Sequence, residues 1–442
     1  MKLIKHMIFV DLDSENKLLI NSLNGKMNEI SNQAHSTLEK WQAEDRITPT
    51  SDEEADFFDN LQASGYLVNS EEEEIAQKNK ILDELREQYH LDRARSVNLT
   101  FILTYDCNFR CPYCFEEDAC ANKDVMTPDL IDAAFKLTDN SLRYIGFFGG
   151  EPLLPKTRKA IEYIIKKAPN AMYDMFTNGY YLEEFFDVFH KIRHNSLRIV
   201  VTIDGEEETH NARRFLDDGK PTYKKIVAGI KKYLDNGIPI NVRINLDHTN
   251  LEESKRVRAS LLDMCEHNKL LTFELAPLMG KNNAYTNKTL DELYKVDVSS
   301  SPEDIERNNR SLIAQSPIIN SLISGKKMSP LYNFCYAHNN KLAVDPYGNI
   351  YSCLITVGRD KFITGKYYPE IEIKQNSIHN RNIDSIPECR ECIYSLLCGG
   401  GCPVGLSQSD DVMKPQCKTT RNQIHNLLPM YYKTLKAAKC KQ

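Results

Sequence analysis

The chain has 442 residues, 27% of them charged and 41% hydrophobic, with a formal net charge of −6. That is the composition of a globular protein long enough for two to four domains, and its acidic balance gives nucleic acid no electrostatic handle. No apolar run approaches the roughly 18 residues that span a bilayer, and Met1 to His6 lacks the long apolar segment of a secretory signal, so the expectation is a cytoplasmic protein with neither membrane nor nucleic acid as partner.

Residues 1–90 read as a small domain of their own. Ile8 to Leu12 and Leu18 to Leu23 have the pattern of two short strands, with turn chemistry at Glu15-Asn16. A helix is expected to open at Ile30-Ser31-Asn32, and a second near Ser51, where Ser51-x-x-Glu54 has the form of a capping box. Gly65-Tyr66-Leu67-Val68 reads as a closing strand. The acidic run Glu71 to Glu74 reads as a solvated linker or helix start, ahead of a charged helix at about 75–90.

From Val97 the rhythm alternates strand and helix. The expected strands are Asn98–Leu103, Tyr144–Phe148, Tyr173–Phe176, Arg198–Ile203, Ile240–Leu246 and Thr272–Ala276, with helices such as Pro128–Thr138, Thr157–Ala168 and Tyr223–Asn236 between them. That rhythm predicts a parallel sheet with crossover helices, whose ligand site lies beyond the carboxyl ends of its strands. Residues 281–332 read as a helical connector. Beyond them come a cysteine-rich stretch with short strands at Lys341–Val344 and Asn349–Cys353, and a final helix at Asn422 to Lys439.

Thirteen cysteines need an explanation other than disulfides in a reducing compartment. Three lie at 107–114 and seven between 335 and 417, a clustering that points to metal. Cys120, Cys265 and Cys440 fall outside both groups and read as ordinary thiols. Cys107, Cys111 and Cys114 stand as C-x3-C-x2-C after the first strand of the alternating region. Three thiolates on one loop can hold three irons of a 4Fe–4S cube and leave the fourth iron open to a ligand. Zinc is the competing reading, but it wants a fourth ligand and no nearby histidine supplies one.

Cys107-Asn108-Phe109-Arg110-Cys111-Pro112-Tyr113-Cys114 resembles the signature of the radical S-adenosylmethionine (radical SAM) superfamily. The resemblance implies a partial (β/α)6 TIM barrel at 91–280, within an α/β fold, and S-adenosylmethionine chelated to the open iron, with Tyr113 beside the adenine. It also implies that Gly149-Gly150-Glu151-Pro152 is the family's GGEP turn, its glycines letting the ligand's amino group approach and Glu151 accepting a hydrogen bond from it. Thr177-Asn178, Thr202 and Asp204 resemble the family's other polar strand ends. Arg214, in His210-Asn211-x-x-Arg214, matches an arginine that takes the methionyl carboxylate, which its forked guanidinium suits. Arg243 and Asn245 are weaker candidates for the ribose or the carboxylate. Glu116 and Glu117 are candidate acids or bases, set against the commoner reading of exposed loop carboxylates.

The second group runs Cys335-x12-Gly348-x4-Cys353, then Cys389-x2-Cys392-x5-Cys398-x3-Cys402, then Cys417. It resembles the SPASM extension of radical SAM enzymes that modify peptides and proteins; a zinc ribbon is the bland alternative. The resemblance assigns Cys389, Cys392, Cys398 and Cys417 to an outer auxiliary 4Fe–4S cluster and Cys335, Cys353 and Cys402 to an inner one, three clusters in all. Asn339, Asn340, Lys341 and Leu342 stand where some members have an extra cysteine, so the inner cluster is expected to keep an open iron or take His338 or an outside thiolate. Residues 1–90, with Asn32–Ala34, resemble the winged-helix-like leader-recognition element of ribosomal peptide biosynthesis, which binds an extended leader by strand addition.

These resemblances imply the division 1–90, 91–280, 281–332 and 333–442. They also imply a maturase that abstracts hydrogen from a residue of a ribosomally made precursor peptide and installs a crosslink, a cysteine thioether of the sactipeptide or ranthipeptide type first. A reducing partner such as flavodoxin or ferredoxin is expected. A carbon–carbon crosslinking maturase is the alternative. A sulfatase-maturating, formylglycine-generating enzyme ranks below it, because Leu354 stands where that group has aspartate after the cysteine. An electron carrier or zinc scaffold would need neither the GGEP-like turn nor a barrel.

Overall fold

The computed structural model describes residues 1–94, 98–116, 122–138, 142–247, 249–250, 253–278, 316–335, 341–374, 378, 380–403 and 413–439. The expected connector falls largely outside these residues, as do Glu117, Cys120, His338, Asn339, Asn340 and Cys440.

The amino-terminal unit is a three-stranded antiparallel meander, β2 (Met7–Asp11), β3 (Asn16–Asn21) and β4 (Met27–Ser31), beside a two-stranded pair of β1 (Lys2–Leu3) with β5 (Leu67–Val68). Alternation divides the meander between two cores. Met7 and Leu19 pack toward Trp41, Leu38 and Tyr66 of the helical side, while Ile8, Val10, Leu18 and Ile20 join the large core that also holds Leu428 and Tyr431 near the carboxyl terminus. Helix α1 (Asn32–Gln42) starts at its expected cap, with Ser31 Oγ accepting from Ala34 N. Helix α2 (Asp52–Ala63) is capped by Ser51, but Glu54 reaches back to Thr50 N and Oγ1, both 2.7 Å, one residue earlier than a capping box requires.

The acidic run is neither linker nor fully solvated: it is the first turn of α3 (Glu71–Ala94), where the helix dipole favours carboxylates. Glu74 is buried there. It accepts from Lys5 N at 2.8 Å and His6 N at 3.0 Å, and bonds His6 Nδ1 at 2.6 Å. Further along, Leu82, with Leu23, packs on Ile383, Ile386, Cys389 and Leu396. Arg86 Nε donates to Asp384 at 2.7 Å, and Tyr89 meets Tyr332 edge-on. The amino-terminal unit is thus joined to the cysteine-rich region by both a sheet face and a helix.

The central sheet holds six parallel strands in sequential spatial order: β6 (Asn98–Ile102), β7 (Tyr144–Phe148), β8 (Met172–Thr177), β9 (Leu197–Thr202), β10 (Ile240–Leu246) and β11 (Leu271–Pro277). Helices α4 (Pro128–Phe135), α5 (Arg158–Lys167), α6 (Glu207–Arg213), α7 (Tyr223–Asp235) and α8 (Ser254–Met264) connect them. The strand order is that of a partial barrel. Ile145, Phe147, Ile199, Val201, Val242 and Ile244 share the core with Ile161, Ile226 and Ile230 of the helices.

The sheet does not end with the barrel strands. β12 (Lys341–Val344) pairs in parallel with β6, and β13 (Asn349–Tyr351), β14 (Gly365–Lys366) and β15 (Glu372–Ile373) extend it to ten strands. The cysteine-rich region is therefore built onto the barrel's first strand. No helix among the described residues is long and apolar enough to cross a membrane.

Candidate active site

The loop after β6 carries Cys107, Cys111 and Cys114, and backbone hydrogen bonds strap it on two sides. Gly150 N donates to Thr104 O at 3.0 Å and Glu151 N to Asp106 O at 2.9 Å. On the other flank, Arg110 N donates to Phe215 O and Asp217 N to Asn108 O, both 3.0 Å. Arg110 Nη1 closes the loop on Cys107 O at 2.7 Å. None of the three is in a disulfide. Burial raises the Cys107 thiol well up, helped by the charges of Glu151, Cys111 and Cys114. Burial pushes Cys111 up to about 11, against the pull of Arg214. Buried sulfurs this close to one another become thiolates when a metal supplies the opposing charge.

The glycines of the next strand end have a steric task. A Cβ on Gly149, at φ +124°, would sit 2.3 Å from Thr104 O, and one on Gly150 would sit 2.3 Å from Tyr105 O. Their missing side chains admit the cysteine loop, where the sequence suggested room for a ligand's amino group. Glu151 is 1% exposed. It accepts from Leu153 N at 2.8 Å, Thr177 Oγ1 at 2.7 Å and Asn178 N at 2.7 Å. Burial pushes its carboxyl up to about 7, against those donors and Arg214. Pro152 O accepts from Thr157 Oγ1 at 2.6 Å, and Asn178 Nδ2 donates to Asn108 Oδ1 at 2.8 Å. The ends of β7 and β8 and the cysteine loop are thereby one hydrogen-bonded unit.

Tyr113 joins the far side. Its hydroxyl bonds the Asp204 carboxylate and accepts from Arg214 Nη1 at 2.8 Å. Arg213, which sequence reasoning passed over, lies 5.2 Å above the Tyr113 ring and donates to Asp247 Oδ2 and Thr249 Oγ1, both at 2.9 Å. Behind Arg214, Thr222 Oγ1 donates to Arg214 O at 2.6 Å and so must accept from His210 Nε2 at 3.1 Å. With Asp204 N donating to His210 Nδ1 at 3.4 Å, this assigns His210 the neutral Nε2–H tautomer. Burial, then Arg214 and Arg213, holds its pKa well below the ordinary value, in keeping with that state. The adjacent Arg213-Arg214 pair was the signal available in the sequence.

Several buried polar atoms around this loop have no protein partner among the described residues: Asp204 Oδ1, Arg214 Nε, Arg213 Nη2, Asn108 Nδ2 and Glu116 Oε1. Glu116 is buried, not the exposed loop carboxylate of the alternative reading, and burial raises its pKa well above the ordinary value. A mixed lining of buried cation, carboxylate and amide fits a zwitterionic ligand. Thr202 ends β9 beside Arg243 in register. Arg243 itself is committed to Asn245 Oδ1 at 3.1 Å and Glu274 Oε1 at 2.9 Å, which draws both candidates toward β11.

Of the other seven cysteines, four share one cavity and two more are neighbours. Cys389, Cys392, Cys398 and Cys417 line one cavity with Tyr394, Thr420 and Arg421. Burial, then the charges of Cys398, Cys392 and Cys417, pushes Cys389 up to about 12. Burial and its neighbour Cys402 push Cys353 up to about 11. The charges of Cys389, Cys402, Cys398 and Cys335 all reach Arg381. Among the described residues no three His, Cys, Asp or Glu side chains close on a single ion position. Sulfurs standing around a cavity suit a multi-iron cube, in which each iron takes its own thiolate.

Residues 101–258 match the family model of the radical SAM superfamily. A cysteine-type anaerobic sulfatase-maturating enzyme of Clostridium novyi is 30% identical over 140 residues, 28% of this chain and 37% of the relative's length. The radical SAM cyclopropyl synthase TigE of Paramaledivibacter caminithermalis is 19% identical over 386 residues, 79% of this chain and 78% of TigE. Among solved structures, anSMEcpe with AdoMet and the Cp18Cys peptide superposes at a TM-score of 0.58 and 18% identity, over 78% of this chain and 99% of that one. Streptococcus suis SuiB bound to its precursor peptide SuiA superposes at 0.51 and 14% identity, over 95% and 99%. At these identities the structures share the fold with this chain. Over residues 101–258 it carries the domain of radical SAM enzymes.

Proposed function

We propose that this radical SAM enzyme matures a ribosomally made precursor peptide. Residues 1–90 bind the leader, and a core residue loses hydrogen in the barrel and is crosslinked, to a cysteine sulfur as a thioether. The observation that carries the reading is the single cavity shared by Cys389, Cys392, Cys398 and Cys417, whose Cys389 packs against Leu23 and Leu82 of the amino-terminal unit. In the amino-terminal unit the outer strands β2 and β4 pair only with β3 among the described residues, and their other edges offer places for strand addition. Peptides bound to SuiB and to anSMEcpe support a peptide substrate on this fold.

Cys107, Cys111 and Cys114 would hold the first 4Fe–4S cluster, the group of Cys389 a second, and Cys335, Cys353 and Cys402 a third. With S-adenosylmethionine, the first supplies a 5′-deoxyadenosyl radical when bound and reduced. The chain's own residues do the positioning. Arg214, held from behind by Thr222 and His210, presents its guanidinium for a carboxylate. Tyr113, stacked under Arg213, closes one side, and Glu151 locks two strand ends to the cysteine loop. Pro152, Thr177, Asn178, Thr202 and Asp204 complete the proposed contacts; Arg243, level with Thr202, and Asn245 stand on the neighbouring strand as weaker ones. Leu354 in place of an aspartate disfavours formylglycine formation even though sulfatase-maturating relatives match part of the chain.

The test is anaerobic incubation of the reconstituted enzyme with S-adenosylmethionine, reductant and the peptide encoded beside its gene. A loss of two hydrogens from a peptide with an alkylation-resistant cysteine, and transfer of deuterium from the attacked carbon into 5′-deoxyadenosine, is expected. An unchanged peptide mass defeats the reading. A two-hydrogen loss with every cysteine still alkylated transfers it to the carbon–carbon class.

A further inference from the structure

Arg381 is fully buried. Its Nη2 donates to Gly400 O at 2.6 Å and Lys414 O at 3.0 Å, and its Nη1 to Gly401 O at 2.7 Å. Gly399, Gly400 and Gly401 are the entire link between Cys398 of one cysteine group and Cys402 of the other. All three have positive φ, 59°, 83° and 74°, a run that only glycine adopts without strain. A Cβ on Gly400 would stand 3.1 Å from Arg381 Nη1, so the link is bare where the guanidinium lies against it. Lys414, the third anchor, is three residues ahead of Cys417. The sulfurs whose charges reach Arg381 are those of Cys389, Cys402, Cys398 and Cys335, drawn from both groups. The carbonyl anchors fix the guanidinium's position without cancelling its charge.

We propose that Arg381 is a fixed buried cation set between the two auxiliary centres, where it raises the reduction potential of both. The inference rests on the reading of these seven cysteines as the ligands of two 4Fe–4S clusters. Joining a carbon radical to a thiol forms one C–S bond and releases one proton and one electron. The proton goes to solvent, and the electron takes an auxiliary cluster from its oxidised to its singly reduced state. The reduced cluster is one unit more negative, and a nearby cation in a medium of low dielectric stabilises it over the oxidised one. Arg381 is thus a positioning residue for charge, acting on the clusters and not on substrate. Guanidinium suits the role because it stays protonated and its fork holds three carbonyls at once.

The test compares the anaerobically reconstituted full chain with its R381K, R381Q and R381M variants, reading iron per chain and midpoint potentials by EPR-monitored titration. In R381Q and R381M with wild-type iron content, the equilibrium constant for electron uptake by the auxiliary clusters should fall about tenfold or more, a downward shift of about 59 mV per tenfold for one electron. The cluster of Cys107, Cys111 and Cys114 should keep its potential, and R381K should stay near wild type. Unmoved auxiliary potentials in the neutral variants overturn the proposal. So does loss of auxiliary iron from both neutral variants, which would make the role of Arg381 structural. Wild-type iron near four per chain would remove the auxiliary clusters, and so overturn this inference along with the reading beneath it.

Discussion

Removing the Tyr105 hydroxyl should loosen the joint between the cysteine loop and the cysteine-rich hairpin by a definite amount. Tyr105 precedes Cys107 by two residues, and Tyr351 precedes Cys353 by two. Both hydroxyls donate to Asp345 Oδ2, at 3.0 and 3.3 Å. Asp345 is 1% exposed and also accepts from Asn349 Nδ2 at 3.1 Å and from the amides of Tyr347 and Asn349 at 2.9 Å. Burial and the Asp345 charge raise the Tyr105 pKa far above its ordinary value, so the hydroxyl remains a donor. A hydrogen bond to a charged acceptor contributes about 1.5–3 kcal/mol. The carboxylate keeps its other donors in Tyr105→Phe, so the loss should lie at the low end, about 1.5 kcal/mol. Asp345→Ala instead strands two buried hydroxyls at about 1–3 kcal/mol each, some 3–6 kcal/mol in total with the freed amides. The double variant should cost less than the sum, with a coupling of about 1–2 kcal/mol. Anaerobic urea denaturation of the four proteins measures this. Strict additivity, or a Tyr105→Phe loss equal to that of Asp345→Ala, would refute the shared-carboxylate account.

Gly150→Ala puts a methyl 2.3 Å from Tyr105 O, so the cysteine loop cannot seat; iron analysis should show about four fewer irons per chain, while a wild-type count contradicts the packing argument. Leu82→Ala opens a cavity between α3 and the Cys389 group and should destabilise by about 2–5 kcal/mol, read by thermal melting together with faster loss of auxiliary iron on exposure to chelator. Glu74 has two opposed influences: burial raises its pKa, while His6 and the Lys5 and His6 amides lower it, and the net is a value below the ordinary 4.5. Its stabilisation is therefore fully present above pH 4.5 and lost as pH falls through the lowered folded value. The gap between wild type and Glu74→Gln should be flat at neutral pH and close in that acid window; a gap that widens on acidification contradicts the sign.

The parallel strands were legible because alternate positions carry large apolar residues that are buried, such as Ile145 and Phe147, or Ile240, Val242, Ile244 and Leu246; Tyr144–Phe148, Ile240–Leu246 and Lys341–Val344 were placed to the residue. β4 was missed because its only buried residue is Ile30, so no alternation marks it, and a helix was expected to open there. The pairing of β12 with β6 was illegible for another reason: pairing across more than 240 positions leaves no local pattern. Site candidates could be named from the sequence where an acidic side chain follows a strand end, as with Glu151 and Asp204. Residues acting from behind, such as His210, Thr222 and Arg213, depend on which side chains the fold brings together. The burial of Glu116 has the same origin.

The most direct measurement is S-adenosylmethionine cleavage by the anaerobically reconstituted, dithionite-reduced protein, beside a variant with Cys107, Cys111 and Cys114 all replaced by alanine. The account predicts 5′-deoxyadenosine from the wild type and none from the triple variant, which should keep about eight irons per chain. Intact S-adenosylmethionine from a fully loaded wild type, or equal cleavage by the triple variant, would contradict it.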